Sequence, residues 1–430
     1  MKSKLRNTLL IISVLLILSS GLSVVLELSN ATGLLLIPGL IAMALAVRGF
    51  KKLKGFSYTL WIFTAVTTSM FYPQYFISAG GFQLKRLIVP LLQIIMFGMG
   101  SQMSFSDFTG VIKMPKGVFV GVLSHYMIMP LVGFAIAGIF NFPPEISAGI
   151  ILIGCVPSGL ASNVMSFLAK ANLALAVTVG AISTLLSPLV TPLLMKYLGG
   201  QYIEVKFWSM MLDILNMIIL PIVAGFIFNL FSKGKESGRS KVLQLLSYTF
   251  IIILTTLVYA KSKEAGFSAF LIQFAKSMGW FFLLPLVGAI FLSKFIAGDN
   301  KFMEKILSLM SMVGIAFIVT IITASGRDSL LKVGALLVVT SLMHNLTGYT
   351  LGYWLSWLVG MPEKDRRTIA FEVGMQNGGL ASGLALQMGK LATVGLAPAI
   401  FGPLMNITGS VLANFWRSKP VDEDIKVRED

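Results

Sequence analysis

Apolar stretches of about twenty residues recur along this chain from end to end, and each is long enough to cross a hydrocarbon layer about 30 Å thick. The composition agrees. Of the 430 residues, 56% are hydrophobic and 12% charged, and the mean hydropathy is +0.85. Backbone polar groups must be satisfied inside lipid, and no alternating strand pattern of the barrel type appears, so the spans are read as helices. Fourteen spans are expected, at 8–28, 32–49, 57–79, 87–104, 117–139, 145–169, 172–195, 207–231, 243–260, 275–296, 305–324, 332–358, 368–389 and 393–415. The first follows MKSKLR and is longer than the core of a signal peptide, with no A-x-A site after it, so it is expected to be retained.

A net charge of +16 would fit nucleic acid if the cations were clustered. They lie instead in short loops between spans. With the N-terminus placed in the cytoplasm, 24 of the 34 Lys and Arg fall on the cytoplasmic side. This excess predicts an inner-membrane protein with both termini inside. The lone Cys155 excludes an internal disulfide, and no Cys/His cluster suggests a resident metal. Cys155 is expected to be a packed thiol.

Two segments interrupt this pattern. SGLAS (158–162) recurs as GGLAS (378–382), an offset of 220, inside spans carrying Pro157 and Gly159 or Gly374, Gly378 and Gly379. The only two histidines, His125 and His344, stand 219 apart and precede the pentapeptides by similar distances. An internal repeat with one broken helix in each half fits this spacing, because broken ends leave backbone groups free to hold ions and substrate. Glu372 lies several residues inside the span that follows Arg367, with no Lys or Arg in 368–389. A carboxylate there needs compensation, and a cation held by Glu, Gln, Asn and Ser oxygens would supply it. Asp213 and Asn216 are expected at an interface or in helix–helix bonding. No HExxH, DDxxD or GxSxG appears, and two histidines leave little for acid–base work, so no enzyme is expected.

The run GCVPSGLASNVMSFLAKANLALAVTVGAISTLLSPLVTPLL (154–194) resembles the signature stretch of the bile acid:sodium symporter family. So do IAFEVGMQNGGLASGLA (369–385), MHNLTGYTLGY (343–353), MNITGSVLANFW (405–416) and IMFGMGSQMSFSDF (95–108). The resemblance implies an all-α inverted-repeat transporter with two crossed discontinuous helices. It divides the chain into extra N-terminal helices (1–55), a first half (56–200), a connecting region with two further helices (201–300), the remainder of the second half (301–416) and a cytoplasmic tail (417–430). Spans 207–231 and 275–296 both carry an LP(I/L)V element, and either would serve as the family's sixth helix.

The resemblance also implies the site. A first sodium would take Ser162, Asn163 and Glu372. A second would take Glu372, Gln376 and the carbonyls of Val373 and Met375, with His125 at a position where the family has a glutamine. Substrate would face Ser158, Gly159, Leu160, Asn377 and Asn406. Besides His125, three positions depart from the pattern: Ala176 and Gly180 offer no hydroxyl where the family has hydroxyl ligands, and the usual PGG is Pro157-Ser158-Gly159. The implied function is import of a small organic anion by cation symport, with sodium as the coupling ion and no organic cofactor. His125 beside Glu372 leaves two readings: a proton-sensitive pair, or a neutral hydrogen bond between helices. A proton-coupled anion transporter and a cation/proton antiporter are the alternatives.

Overall fold

In the computed structural model the described residues are 3–26, 29–50, 56–233 and 300–419, with Gly279, Phe282 and Val421. The expected spans 243–260 and 275–296 lie outside them, apart from those two single positions. The described residues are almost wholly helical, and six helices are long and apolar enough to cross a membrane. Four shorter apolar helices accompany them, one of which is Pro144–Cys155.

The chain opens with α1 (Ser3–Val25), α2 (Ser29–Val47) and α3 (Phe56–Phe71), packed in sequence order. The expected span 57–79 is not continuous. Pro73 follows the end of α3 and starts the one-turn α4 (Gln74–Ile77), as the restriction on the residue before proline favours. A two-residue hairpin then pairs Ser78–Ala79 with Phe82–Gln83. Gly80 and Gly81 make its turn, both at positive φ, the conformation that a tight hairpin turn requires.

Next come α5 (Ile88–Gly100) and a short helix that the span pattern does not contain, α6 (Phe105–Lys113). A capping box starts α6: the Ser104 amide donates to Asp107 Oδ2 at 2.7 Å. Pro115 then opens α7 (Pro115–Ile139), at a position where a missing N–H costs nothing.

The expected span 145–169 is two helices, α8 (Pro144–Cys155) and α9 (Leu160–Leu168). They are followed by α10 (Leu173–Leu198), and by α11 (Phe207–Ile214) and α12 (Leu220–Lys233) joined through a π-turn at Leu215–Ile219. The last part holds α13 (Asn300–Ser325) and α14 (Arg327–Leu358). The expected span 368–389 is also two helices, α15 (Glu363–Gly374) and α16 (Gly378–Gln387), and α17 (Leu396–Arg417) closes the fold.

The offset of 220 extends well beyond the pentapeptide. Shifted by it, α8 would run 364–375 and α10 would run 393–418, against α15 at Glu363–Gly374 and α17 at Leu396–Arg417. The helices that lead into the two interruptions are also enclosed. Every residue of α8 from Ile146 to Cys155 is buried, as is every residue of α15 from Arg367 to Gly374. Large apolar side chains face outward on α1, α7, α10 and α14 instead, among them Leu18, Phe119, Leu189 and Leu358. That outward apolar cover is the surface an integral membrane protein turns to lipid.

Candidate functional site: two interrupted helices and a buried carboxylate

Each interruption is short because each completes the other's hydrogen bonding. Pro157 has no N–H to continue α8, and Val156 and Met375 are both extended. Ser158 and Gln376 then pair as an antiparallel bridge. The Gly159 amide donates to Met375 O at 3.2 Å, and the Asn377 amide donates to Pro157 O at 2.8 Å. Backbone groups that a break would strand away from water are thus partnered. The approach demands glycine at 159, where a β-carbon would stand 2.7 Å from Gln376 O.

Glu372 sits one turn before the second interruption, with no exposed surface. Ser158 Oγ donates to its Oε2 at 2.6 Å, and Ser162 Oγ lies against its Oε1. Ser162 has one hydroxyl hydrogen but a second acceptor, Gly159 O at 2.8 Å. Among the described residues no Lys or Arg pairs with the carboxylate. Arg367 lies inside the same helix, not before it, and it is occupied: its Nε donates to Glu363 at 2.8 Å and its Nη1 to Trp416 O at 3.1 Å.

His125 on α7 is fully buried and does not touch that carboxylate. Its Nδ1 is 2.8 Å from the backbone O of Glu372, and its Nε2 is 2.9 Å from Val156 O. Both partners are carbonyls at the ends of α8 and α15, and a carbonyl only accepts, so a neutral ring donates to one of them and only an imidazole with a hydrogen on each nitrogen bonds both. The repeat register is corrected as well. His344 bonds Met129 O at 2.8 Å, within α7, whereas Asn345 donates to Gly374 O at 2.8 Å. Asn345, 220 residues beyond His125, is the residue that reaches the second interruption.

The remaining expected ligands flank the paired interruptions. The Oδ1 of Asn163 and the Oε1 of Gln376 are buried acceptors without a partner, and the Gln376 amide donates to Val373 O at 2.7 Å. The carbonyls of Val373 and Met375 each accept one hydrogen bond and keep a second lone pair. Together with Glu372 and the two serines, this is a set of hard oxygen donors suited to a hard cation.

Four of the five expected substrate residues, Gly159, Leu160, Asn377 and Asn406, line one cavity of about 120 Å³. The fifth, Ser158, is not among that cavity's lining residues, and its hydroxyl donates to Glu372. Asn377 Oδ1 accepts from the Leu380 amide at 3.0 Å and caps α16. α9 begins at Gly159 with no side-chain cap. Asp213 lines a second cavity of about 730 Å³ with Glu145, Glu204, Lys206 and Lys390. Asn216 lies in the π-turn, where its backbone O accepts from Gln93 at 3.2 Å. Cys155 is a buried free thiol.

The sodium bile acid symporter family model matches residues 89–269. The chain is 33% identical to the uncharacterized sodium-dependent transporter YocS of Bacillus subtilis (strain 168), over 87% of this chain and 94% of YocS. The chain belongs to the sodium bile acid symporter family. Membership makes it a membrane transporter and not an enzyme. Further relatives are two Arabidopsis thaliana chloroplastic proteins, each named a probable sodium/metabolite cotransporter. BASS1 is 29% identical over 76% of this chain and 65% of its own length. BASS6 is 29% identical over 77% of this chain and 68% of its own length. The chain spans just under two thirds of BASS1.

Proposed function

We propose that this chain is a sodium-coupled symporter that imports a small organic anion, with both ligands held where its two interrupted helices cross. One observation carries the reading: a fully buried carboxylate with no basic partner among the described residues, in a crossing that also holds two unpartnered buried amide oxygens. Buried acceptors without donors are costly, and a buried carboxylate without a counter-charge costs several kcal/mol. Sodium would relieve both. The relatives named sodium-dependent transporter and sodium/metabolite cotransporter support sodium as the ion.

In this reading Ser162, Asn163 and Glu372 hold one ion. Glu372, Gln376 and the carbonyls of Val373 and Met375 are the ligands for a second, with His125 positioning the Glu372 backbone. The anion occupies the cavity lined by Gly159, Leu160, Asn377 and Asn406. The uncapped start of α9 points its amides there, where the helix dipole favours negative charge. Residues 56–200 are one inverted half and 301–416 the remainder of the other, whose first helix comes from 201–300, in a fold of about fourteen spans in the inner membrane with both termini in the cytoplasm. Sodium neutralises Glu372 and orders the crossing, which favours anion binding. Rigid-body motion of one domain against the other then exposes the site to the opposite side.

A second reading has one observation in its favour. The single hydroxyl hydrogen of Ser162 faces two acceptors, an arrangement a proton on Glu372 would complete. Reconstituted protein supplied with labelled pyruvate-like and pantoate-like acids separates the two, with sodium and pH gradients imposed one at a time. Accumulation driven by sodium without a pH gradient is the expected result. Accumulation driven by pH alone selects proton coupling, and solute-free sodium/proton exchange selects an antiporter.

A further inference from the structure

Each oxygen of Glu372 takes one serine hydroxyl, and the two serines stand differently. Ser162 belongs to the first turn of α9. Ser158 belongs to the interruption itself: it is 3% exposed, its backbone forms the bridge to Gln376, and its Oγ donates to Glu372 Oε2 at 2.6 Å. The facing wall is α10, which presents Gly180 at this point. A β-carbon there would stand 3.5 Å from Glu372 Oε2 and 3.5 Å from Ser158 Oγ, meeting nothing else beyond its own helix within 4 Å. That is ordinary contact, so a side chain would fit. A hydroxyl on that β-carbon would reach the place that Ser158 Oγ already holds. Positions 158 and 180 therefore address one oxygen seat from two backbones, and this chain fills it from position 158.

We propose that Ser158 is a cation ligand of this chain, its hydroxyl supplying the oxygen that Gly180 withholds and so setting sodium affinity. This deepens the sodium-site reading and rests on it. A hydroxyl has one hydrogen and two lone pairs. Donating to Glu372 fixes the rotor and leaves lone pairs for an ion held by the same carboxylate. Other hydroxyls on α10 are committed: Ser183 and Thr184 donate to Gly180 O at 3.0 and 2.7 Å. Ala176 offers none. Placing the ligand in the interruption has a consequence that a ligand on α10 would not have. The residue that pairs the two interruptions is also the one that touches the ion, so the site is complete only while the bridge is closed.

The test is thermal unfolding of the purified full-length protein in detergent, titrated with sodium chloride against choline chloride at constant ionic strength. Ser158→Gly is expected to raise the half-saturating sodium concentration at least about tenfold, equivalent to about 1.4 kcal/mol. Ser158→Ala carries the same expectation and keeps the β-carbon, so a folding defect of the glycine variant does not end the test. Adding Gly180→Ser to Ser158→Gly is expected to restore the response to within about threefold of wild type, a residual well under 1 kcal/mol. Gly180→Ser alone crowds an occupied seat and brings no gain. A wild-type sodium response in both Ser158→Gly and Ser158→Ala overturns the proposal, as does failure of Gly180→Ser to recover any affinity in a folded double variant. Glu372→Gln in the same assay keeps the two levels apart. If Glu372→Gln loses the sodium response while the Ser158 variants keep it, only the Ser158 assignment fails. If Glu372→Gln keeps the response, the sodium-site reading itself fails.

Discussion

The two interruptions are built on one plan from different parts. The first, at 156–159, is broken by Pro157, clamped from α7 by His125 at Val156 O, and followed by a helix with no side-chain cap. The second, at 375–377, has no proline, is clamped from α14 by Asn345 at Gly374 O, and is followed by a helix that Asn377 caps. Both supply an unpartnered side-chain amide oxygen, from Asn163 and Gln376, while the hydroxyls of Ser158 and Ser162 come from the first and the carboxylate of Glu372 from the second. In the proposed reading this difference separates two jobs at the paired interruptions, the anion at the uncapped helix start and the cation at the carboxylate.

That asymmetry can be broken in order of expected effect. The glycines differ most. At Gly159 a β-carbon meets Gln376 O at 2.7 Å, whereas at Gly378 the nearest atom is Pro398 O at 3.4 Å. Gly159→Ala should force the bridge apart and reduce reconstituted uptake about a hundredfold, equivalent to about 2.8 kcal/mol. Gly378→Ala should stay within about threefold of wild type, under 1 kcal/mol. Equal losses would contradict the geometry. The clamps come next. Asn345→Ala removes the donor to Gly374 O and the acceptor for the Thr408 hydroxyl. It should lower stability by about 1–3 kcal/mol, read as a lower melting temperature in detergent. The cap of α16 is smaller: Asn377→Ala should cost about 1 kcal/mol, while α9 has no comparable cap to lose. Smallest is the pair between Lys390 and Glu145, both about one-third exposed. Lys390→Ala should change stability by under about 1 kcal/mol and weaken the salt dependence of melting.

Much of this arrangement is written locally. Pro157 and the glycines around 374–379 mark the interruptions, and Glu372 stands out because no cation follows it in its span. The capping box Ser104-x-x-Asp107 announces α6, and Pro73 announces the end of α3, but both are short signals that a search for twenty-residue spans passes over. The role of Ser158 is of another kind. Its side-chain direction depends on pairing with Gln376, 218 residues away, and no local pattern encodes the register of such a bridge. The same holds for Asn345. The rarity of histidine draws attention to an offset of 219, but hydrogen bonding to the second interruption selects the neighbour at 220. His125 is legible as a buried polar group, whereas its choice of two carbonyls over a carboxylate follows from how α7 packs on α8 and α15.

The most direct test of the account is equilibrium binding of isotopic sodium to the purified protein, wild type beside Glu372→Gln. Saturable binding to the wild type that is lost in the variant, with both proteins folded, is the predicted result. Binding of equal affinity to both would show that the carboxylate at the crossing does not hold the ion.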